Sequence, residues 1–201
     1  MPGMSNAQDP YDVAIARLTA LLERARQTPL AEPTATALAT LDARGRPTVR
    51  IVDVKAIAAR GILFCTNSES QKGVHLAANP SAAMCFFWDC LGVQVRVEGA
   101  AIRCDEGESD RRWAARGRGR QLASYAFPQS RKLDNPGDLE RLRDEAAARF
   151  EGQSVPRPHA WLAYVLVPER MEFWCEKPRR AHERTIYERT DAGWAVHSLF
   201  P

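Results

Sequence analysis

Short runs in which apolar and polar residues alternate dominate the chain from residue 34 onward. Alternation between residues 50 and 58 predicts a strand with two different faces. One face carries Val52, Val54 and Ala56, and the other carries Ile51, Asp53 and Lys55. The glycine of Ala59-Arg60-Gly61 predicts a tight turn into a returning strand over 62–65. Further strands are predicted over 34–42, 81–90 and 93–104, as a strand pair within 159–177, and as two C-terminal strands joined by 190–193.

Helical spacing is confined to a few segments. A helix starting at Asp9 or Asp12 and ending near Thr28 carries an apolar stripe, so residues 1–30 are predicted to be a helical segment preceding a domain over 31–201. Ser68-x-x-Gln71 fits a capping box for a helix ending at Asn79-Pro80. Two more helices are predicted, one over 105–116 and one that follows Asn135-Pro136 as its cap, with an irregular Arg/Gly stretch at 116–120. Because helices are too few for repeated crossovers, the strands predict a small antiparallel barrel.

Composition narrows the class of protein. The chain has 201 residues and a net charge of +3, which is too small to indicate a nucleic-acid partner. Its five cysteines are scattered without metal-type spacing, so we expect reduced packing residues and no metal site. No run reaches the roughly 18 apolar residues of a membrane span. We therefore expect a cytoplasmic protein without membrane contact.

Cations and small hydroxyls cluster between residues 50 and 72. Helix N-termini present unpaired amide groups and the positive end of the helix dipole, so a helix starting here would add to a phosphate site. A hairpin with solvated cations and an ordinary helix cap is the alternative. The cluster comprises Arg50, Lys55, Thr66, Ser68, Ser70 and Lys72.

Two other polar clusters follow. On one strand, alternation would place Arg180, His182 and Arg184 on the same face, which suits a planar anionic group. Five arginines fall within 111–120. That stretch fits a solvated loop or the anion-binding edge of a site better than an RNA contact, since it lacks interleaved aromatic residues.

These motifs resemble the pyridoxine/pyridoxamine 5'-phosphate oxidase family. The resemblance rests on R-x-V-x-x-K at 50–55, T-N-x-x-S-x-K at 66–72, P-Q-S at 128–130, F-W at 173–174 and R-x-H-x-R at 180–184. It implies a mainly β fold with peripheral helices, namely an FMN-binding split β-barrel of Greek-key-like antiparallel topology. It also implies that FMN binds at the interface of an obligate homodimer, which we expect to bury on the order of 2,000 Å² or more.

The resemblance implies a set of FMN contacts. Arg50, Lys72 and the hydroxyls would bind the phosphate, while Gln94 and Gln129 would contact the flavin or ribityl edges. Cys65 and Gln71 depart from the Tyr and Arg common in the family. The implied cofactor-binding residues are Arg50, Ile51, Val52, Lys55, Cys65, Thr66, Ser70, Gln71, Lys72, Gln94, Gln129, Ser130, Trp174 and Arg184.

The resemblance also implies a substrate site and a reaction. Arg180 and His182 would be the catalytic pair that holds the substrate ring, while Arg112 and Arg120 replace the family's Tyr and Ser. The implied reaction is hydride transfer to FMN and reoxidation by O₂, giving H₂O₂ and pyridoxal 5'-phosphate. Alternatives are a phenazine-type flavin oxidase with a carboxylated aromatic substrate, or a non-catalytic split barrel that binds flavin or pyridoxal phosphate. The implied substrate-binding residues are Lys55, Arg112, Arg116, Arg120, Arg180 and His182.

Overall fold

The computed structural model describes residues 8–201, which form eight strands and five α-helices. The helices are α1 (Pro10–Arg26), α2 (Gln71–Ala78), α3 (Glu106–Ala114), α4 (Arg118–Ala126) and α5 (Asp138–Arg149). The strands are β1 (Ala35–Leu41), β2 (Pro47–Ala58), β3 (Gly61–Asn67), β4 (Ser81–Trp88), β5 (Val93–Arg103), β6 (Trp161–Cys175), β7 (Glu183–Thr190) and β8 (Gly193–Leu199).

The sheet is antiparallel and closes on itself. Its strand order is β3-β2-β1-β4-β5-β6-β7-β8, and β3 also pairs with β6. Six strands therefore form a closed barrel, as the sequence predicted, and the β7–β8 hairpin extends from it. β6 changes partner along its length, because its first part pairs with β3 and its last part with β7.

The barrel core is filled by the inward faces of the strands and covered by α1. Val52 and Val54 are buried, as the alternation predicted. The stripe of α1 packs onto the same core through Leu18, Leu21 and Leu22. Asp9 is the N-cap of α1, since its side chain accepts a 2.8 Å hydrogen bond from the Tyr11 amide.

A second apolar cluster joins α3, α4 and α5 to the start of β6. Trp113 and Trp161 pack edge to face with ring centroids 5.1 Å apart. Leu122 and Phe150 belong to the same cluster. These three helices therefore form one packed layer beside the barrel, and this layer supplies one wall of the site described below.

Four local predictions were wrong. The N-cap of α2 is Ser70 and not Ser68. The stretch predicted to be irregular at 116–120 runs into α4, which begins at Arg118. The cap residue of α5 is Gly137, while Asn135 accepts a 3.0 Å bond from its amide. The predicted strand pair within 159–177 is the single strand β6.

β6 stays continuous through Pro168 because the pairing of the neighbouring strand β5 shifts at that point. The register between β5 and β6 shifts between Glu98 and Gly99, and Gly99 pairs with Pro168. A Cβ on Gly99 would lie 2.0 Å from the Val167 carbonyl oxygen, so only glycine fits there. None of the helices within residues 8–201 is long and apolar enough to cross a membrane.

Candidate active site

A cavity of about 340 Å³ opens between the outer side of β2 and β3 and the helical layer. Its walls come from elements far apart in sequence, and many of the residues predicted between 50 and 72 line it. Ile51 stands at its edge with 65% of its surface exposed. The lining residues predicted from the sequence are Ile51, Val52, Lys55, Cys65, Thr66, Lys72, Arg116 and Gln129.

Lys72 lines one end of this cavity, and Arg50 lies close to Lys72 without lining the cavity itself. Burial lowers the pKa of Lys72, and the nearby charge of Arg50 lowers it further. Burial also lowers the pKa of Arg50. Within residues 8–201 neither side chain forms an ion pair with a carboxylate. Two half-buried cations without a counter-charge make this end a site for an anion.

The N-terminus of α2 adds to the anion site. Ser70 Oγ donates to the Asn67 carbonyl at 2.6 Å and accepts from the Gly73 amide at 3.3 Å. Lys72 Nζ lies 3.4 Å from the same hydroxyl. A Cβ on Gly73 would lie 2.5 Å from the backbone of Asn67 and Ser68, so this glycine lets α2 start close to the end of β3.

Thr66 is the clearest sign that the cavity holds a ligand. Its side chain is 4% exposed, and its hydroxyl has no hydrogen-bond partner among the described residues. A buried hydroxyl left unpaired is costly, and most are satisfied in folded proteins. Since Thr66 lines the cavity, a polar ligand atom is the natural partner for its hydroxyl.

A β-bulge determines where Lys55 points. The register between β2 and β3 shifts between Val54 and Ala56, so Lys55 is the extra residue. The predicted alternation therefore ends at Val54, and Ile57 packs against the core in the place predicted for Ala56. Lys55 Nζ lies 3.2 Å from Asp53 Oδ2 and faces the cavity.

Cys65 lies beside Lys55 in the cavity wall. Burial raises the pKa of the Cys65 thiol to about 11. The thiol is therefore neutral at physiological pH, and Cys65 serves as a wall of the cavity and not as a nucleophile.

A second cavity, of about 250 Å³, adjoins the first. Arg116 borders both cavities, and so does Trp161, whose ring centroid is 5.6 Å from the Arg116 guanidinium carbon. Arg116 Nε is buried without a hydrogen-bond partner in the described part of the chain. Burial lowers the pKa of Arg116, and the charge of Arg120 adds to the effect. The predicted substrate residues that line the second cavity are Lys55, Arg112, Arg116 and Arg120.

Two carboxylates that the sequence analysis did not assign to the site moderate this charge. Glu108 Oε1 lies 2.6 Å from Arg112 Nε. Asp53 Oδ2 lies 3.2 Å from Lys55 and 3.8 Å from Arg120. Glu108 Oε2 also binds Arg111 at 2.5 Å, so the four cations of the second cavity outnumber the carboxylates that pair with them. The i, i+4 spacing of Glu108 and Arg112 on a predicted helix was a signal that could have revealed the first pair.

The remaining predicted residues form a separate group on β5, β6 and β7. Gln94 pairs in register with Trp174, and Trp174 with Arg184. The predicted strand face shared by Arg180, His182 and Arg184 is wrong. β7 begins at Glu183, and Arg180 lies in the short turn Pro178–Arg180 with a φ of 61°.

His182 still lies with this second group, because its ring packs against Trp174. Its ring lies on Trp174, with centroids 4.7 Å apart, and His182 Nδ1 accepts a 3.2 Å bond from the Lys177 amide. Neither Trp174 nor His182 lines the two cavities described above. The structure thus divides the predicted site residues of one chain into two groups.

Gln71 and Ser130 occupy a third position. Both line a shallow cleft of about 200 Å³ beside α2. Ser130 has a φ of 68°, so the backbone turns sharply after Gln129, which lines the main cavity. The P-Q-S segment therefore contributes Gln129 to the main cavity and Ser130 to the shallow cleft.

Comparison with known proteins identifies the group to which this chain is similar. A family model described as pyridoxamine 5'-phosphate oxidase matches residues 22–190. A pyridoxine/pyridoxamine 5'-phosphate oxidase of Anaeromyxobacter dehalogenans is 46% identical over 197 residues, covering 98% of each chain. One from Myxococcus xanthus is 42% identical over 187 residues, covering 93% of this chain and 91% of the relative.

Solved structures agree with this assignment. PhzG from Burkholderia lata 383, in complex with tetrahydrophenazine-1-carboxylic acid, superposes with a TM-score of 0.89 at 33% identity over 99% of this chain and all of that one. A pyridoxamine 5'-phosphate oxidase-related, FMN-binding protein from Nostoc punctiforme shares the fold, with a TM-score of 0.71 at 20% identity over 97% of this chain and 99% of that one. With the motifs and the barrel, these matches show that the chain belongs to the pyridoxamine 5'-phosphate oxidase family.

Proposed function

We propose that this protein is an FMN-dependent oxidase that converts pyridoxine or pyridoxamine 5'-phosphate to pyridoxal 5'-phosphate, with O₂ as acceptor and H₂O₂ as second product. The observation that supports it most is the unpaired Thr66 hydroxyl beside Lys72 in the main cavity. A phosphate ester or a flavin edge supplies the acceptors and donors that these groups lack.

The residues present fit FMN. Lys72, Arg50 and the start of α2 would hold its phosphate, and Thr66 and Gln129 would bond its polar edges. FMN, when bound, supplies the two-electron acceptor for the reaction. Lys55, held by Asp53 at 3.2 Å, stands where the two cavities meet and would orient the substrate against the cofactor.

A second copy of the chain would complete the site. One chain places Gln94, Trp174 and His182 outside the cavity that contains Lys72. Each cofactor would therefore contact the first group of one subunit and the second group of its partner. In this arrangement Arg180 and His182 approach the substrate from the partner side.

Charge supports a phosphate ester as substrate. The cations of the second cavity outnumber the carboxylates that pair with them, and a phosphate monoester carries about −1.5 to −2 at pH 7. A phosphate ester would therefore balance more of this positive charge than a single carboxylate would. Arg112 and Arg120 therefore do not by themselves require a substrate more acidic than a phosphate ester.

The likeness to PhzG favours a second candidate function, oxidation of a carboxylated phenazine precursor. Oxygen consumption distinguishes the two candidates. We expect the purified protein to contain FMN and to consume O₂ with pyridoxamine 5'-phosphate, but far more slowly with unphosphorylated pyridoxamine at the same concentration. Turnover only with a reduced phenazine carboxylate would support the second candidate. A flavin-bound protein that oxidises neither substrate would contradict both.

Lys72→Met tests the anion site without measuring turnover. Burial and Arg50 lower the pKa of Lys72, so its charge destabilises the flavin-free fold at all pH values below that lowered pKa. We expect the melting temperature of the flavin-free variant to equal or exceed that of the parent. We also expect FMN affinity to fall about 10- to 100-fold, the value of one charge-assisted hydrogen bond.

Lys132→Met is the matched control, since Lys132 is 87% exposed and pairs only with Asp134. Calorimetry and flavin fluorescence titration measure the two quantities. A lower melting temperature together with unchanged FMN affinity would show that Lys72 is a structural residue and not a phosphate ligand.

A further inference from the structure

His75 is buried beneath the anion site without lining the main cavity. It lies on the second turn of α2, with 9% of its surface exposed. Its Nδ1 is 3.1 Å from Thr40 Oγ1 on β1 and 3.4 Å from Thr48 Oγ1 on β2. The imidazole therefore ties the helix that starts at the anion site to the two strands below it.

The same two hydroxyls hold the Arg50 guanidinium. Arg50 Nη1 donates to Thr40 Oγ1 at 2.7 Å, and Nη2 donates to Thr48 Oγ1 at 2.6 Å. The Leu38 and Thr48 carbonyls accept further bonds from Nη1, at 3.1 and 3.2 Å. The two threonine hydroxyls thus share with two backbone carbonyls in holding the Arg50 guanidinium, and the contacts to the hydroxyls are the shorter ones.

Chemistry limits the donor and acceptor roles in this network. A guanidinium can only donate, so both hydroxyl oxygens accept from Arg50. The hydroxyl proton of Thr40 then needs an acceptor, and we assign this role to His75 Nδ1, because it is nearer at 3.1 Å than Thr48 Oγ1 at 3.4 Å. This role requires a neutral imidazole with its proton on Nε2. A protonated His75 would instead direct an N–H at the hydroxyl and add a third positive charge near Arg50 and Lys72.

We propose that His75 is a positioning residue for the phosphate site. As a neutral acceptor it fixes the hydroxyl of Thr40, and through that hydroxyl it fixes the guanidinium of Arg50. This inference rests on the proposed function, in which Arg50 and Lys72 hold the phosphate of FMN. It adds that the affinity for the phosphate depends on a histidine that does not contact the ligand.

His75→Leu and His75→Asn test the proposal. Leucine keeps the apolar bulk and removes the acceptor, whereas asparagine places an amide oxygen near the position of Nδ1. We expect FMN affinity to fall about tenfold in His75→Leu and to stay within about threefold of the parent in His75→Asn. Riboflavin lacks the phosphate, so its affinity should be the same in all three proteins.

The ratio of FMN affinity to riboflavin affinity gives a readout that a purely structural role would not change. A general loosening of the fold would weaken the binding of both ligands, whereas a displaced Arg50 would weaken only the ligand that carries a phosphate.

Each outcome is decisive. If His75→Leu keeps the parent's ratio of FMN to riboflavin affinity, or if His75→Asn loses that ratio as His75→Leu is expected to, the positioning role is wrong. Should His75→Leu fail to fold, the comparison of His75→Asn with the parent still decides. A parent protein that binds neither FMN nor riboflavin would contradict the proposed function itself, which is a separate result.

Discussion

Phe87→Asp is expected to leave the chain folded but monomeric and to reduce its FMN affinity by at least about 100-fold. Phe87 is 62% exposed on the outer face of β4, and Val49 and Ile51 are each 65% exposed on β2. Between these strands β1 presents the small residues Ala37 and Ala39, whose registers pair them with Ile51 and Val49. The result is one apolar patch across three strands.

The patch is continuous with both halves of the proposed site. Ile51 belongs to the patch and also lines the main cavity. Phe87 pairs in register with Gln94, a member of the second group of site residues. A second copy seated on this patch would bury apolar surface and close the cavity at once. Large exposed apolar patches on soluble proteins commonly mark such interfaces.

A carboxylate at position 87 would be unpaired in that interface, and burying it costs several kcal/mol. Since 1.4 kcal/mol corresponds to a factor of ten, a loss of at least 100-fold in the affinity of a shared site follows. Sedimentation velocity and flavin fluorescence titration measure the two effects. Leu139→Asp is the control, because Leu139 is 42% exposed on α5, away from the patch. A Phe87→Asp protein that stays dimeric, or binds FMN normally as a monomer, would refute the shared site.

The parts of this fold that depend on local pattern could be predicted from the sequence. Alternation identified the buried face of β2 through Val52 and Val54, and the glycine at 61 marked the turn into β3. Of the cations and hydroxyls between 50 and 72, Lys55, Thr66 and Lys72 line one cavity, because a hairpin followed by a short helix folds them together within one local unit. Arg50, Ser68 and Ser70 do not line it. Such features need no knowledge of distant partners.

Features set by distant partners could not be predicted. The bulge at Lys55 exists only in the pairing of β2 with β3. Continuity of β6 through Pro168 requires the shifted register at Gly99 on another strand. The start of α4 at Arg118 lacks a side-chain cap, so packing of Leu122 against the neighbouring helices outweighs the weak local signal of its glycine.

The choice of Ser70 over Ser68 as N-cap has a similar cause. Both serines precede the helix, and the capping-box pattern favoured the first. Ser70 is used because its hydroxyl reaches both the Asn67 carbonyl and the Gly73 amide. Residue types alone also did not reveal that Asp53 pairs with Arg120 of the second cavity, because this pairing joins segments far apart in sequence.

Glu172→Ala is expected to lower the free energy of unfolding by about 2–3 kcal/mol and to weaken FMN binding. Glu172 is 3% exposed on β6. Its Oε1 accepts from Arg184 Nε at 2.9 Å and from Arg184 Nη2 at 2.8 Å. Its Oε2 lies 3.2 Å from Arg96 and 3.5 Å from Arg170. One buried carboxylate thus holds three arginines, including the one expected to face the flavin.

Removing this carboxylate leaves three like charges together and frees Arg184 to turn away from the site. For a chain of this length the stability loss corresponds to a melting temperature roughly 5–10 °C lower. Glu98→Ala is the matched control, since Glu98 contacts Arg96 and Arg170 as well but is 38% exposed. Its removal should cost less than about 1 kcal/mol, as for exposed ion pairs.

A double-mutant cycle with Arg184→Ala separates the two roles of Glu172. If Glu172 affects FMN only by holding Arg184, then adding Glu172→Ala to Arg184→Ala should produce no further loss of FMN affinity. Stability should still fall, because Arg96 and Arg170 lose their buried carboxylate partner and keep only the exposed Glu98 between them. Denaturant unfolding and flavin titration on the parent, the two single variants and the double variant give one cycle for stability and one for FMN affinity. Equal destabilisation by Glu172→Ala and Glu98→Ala, or additive losses of FMN affinity, would mean that the buried carboxylate does not position Arg184.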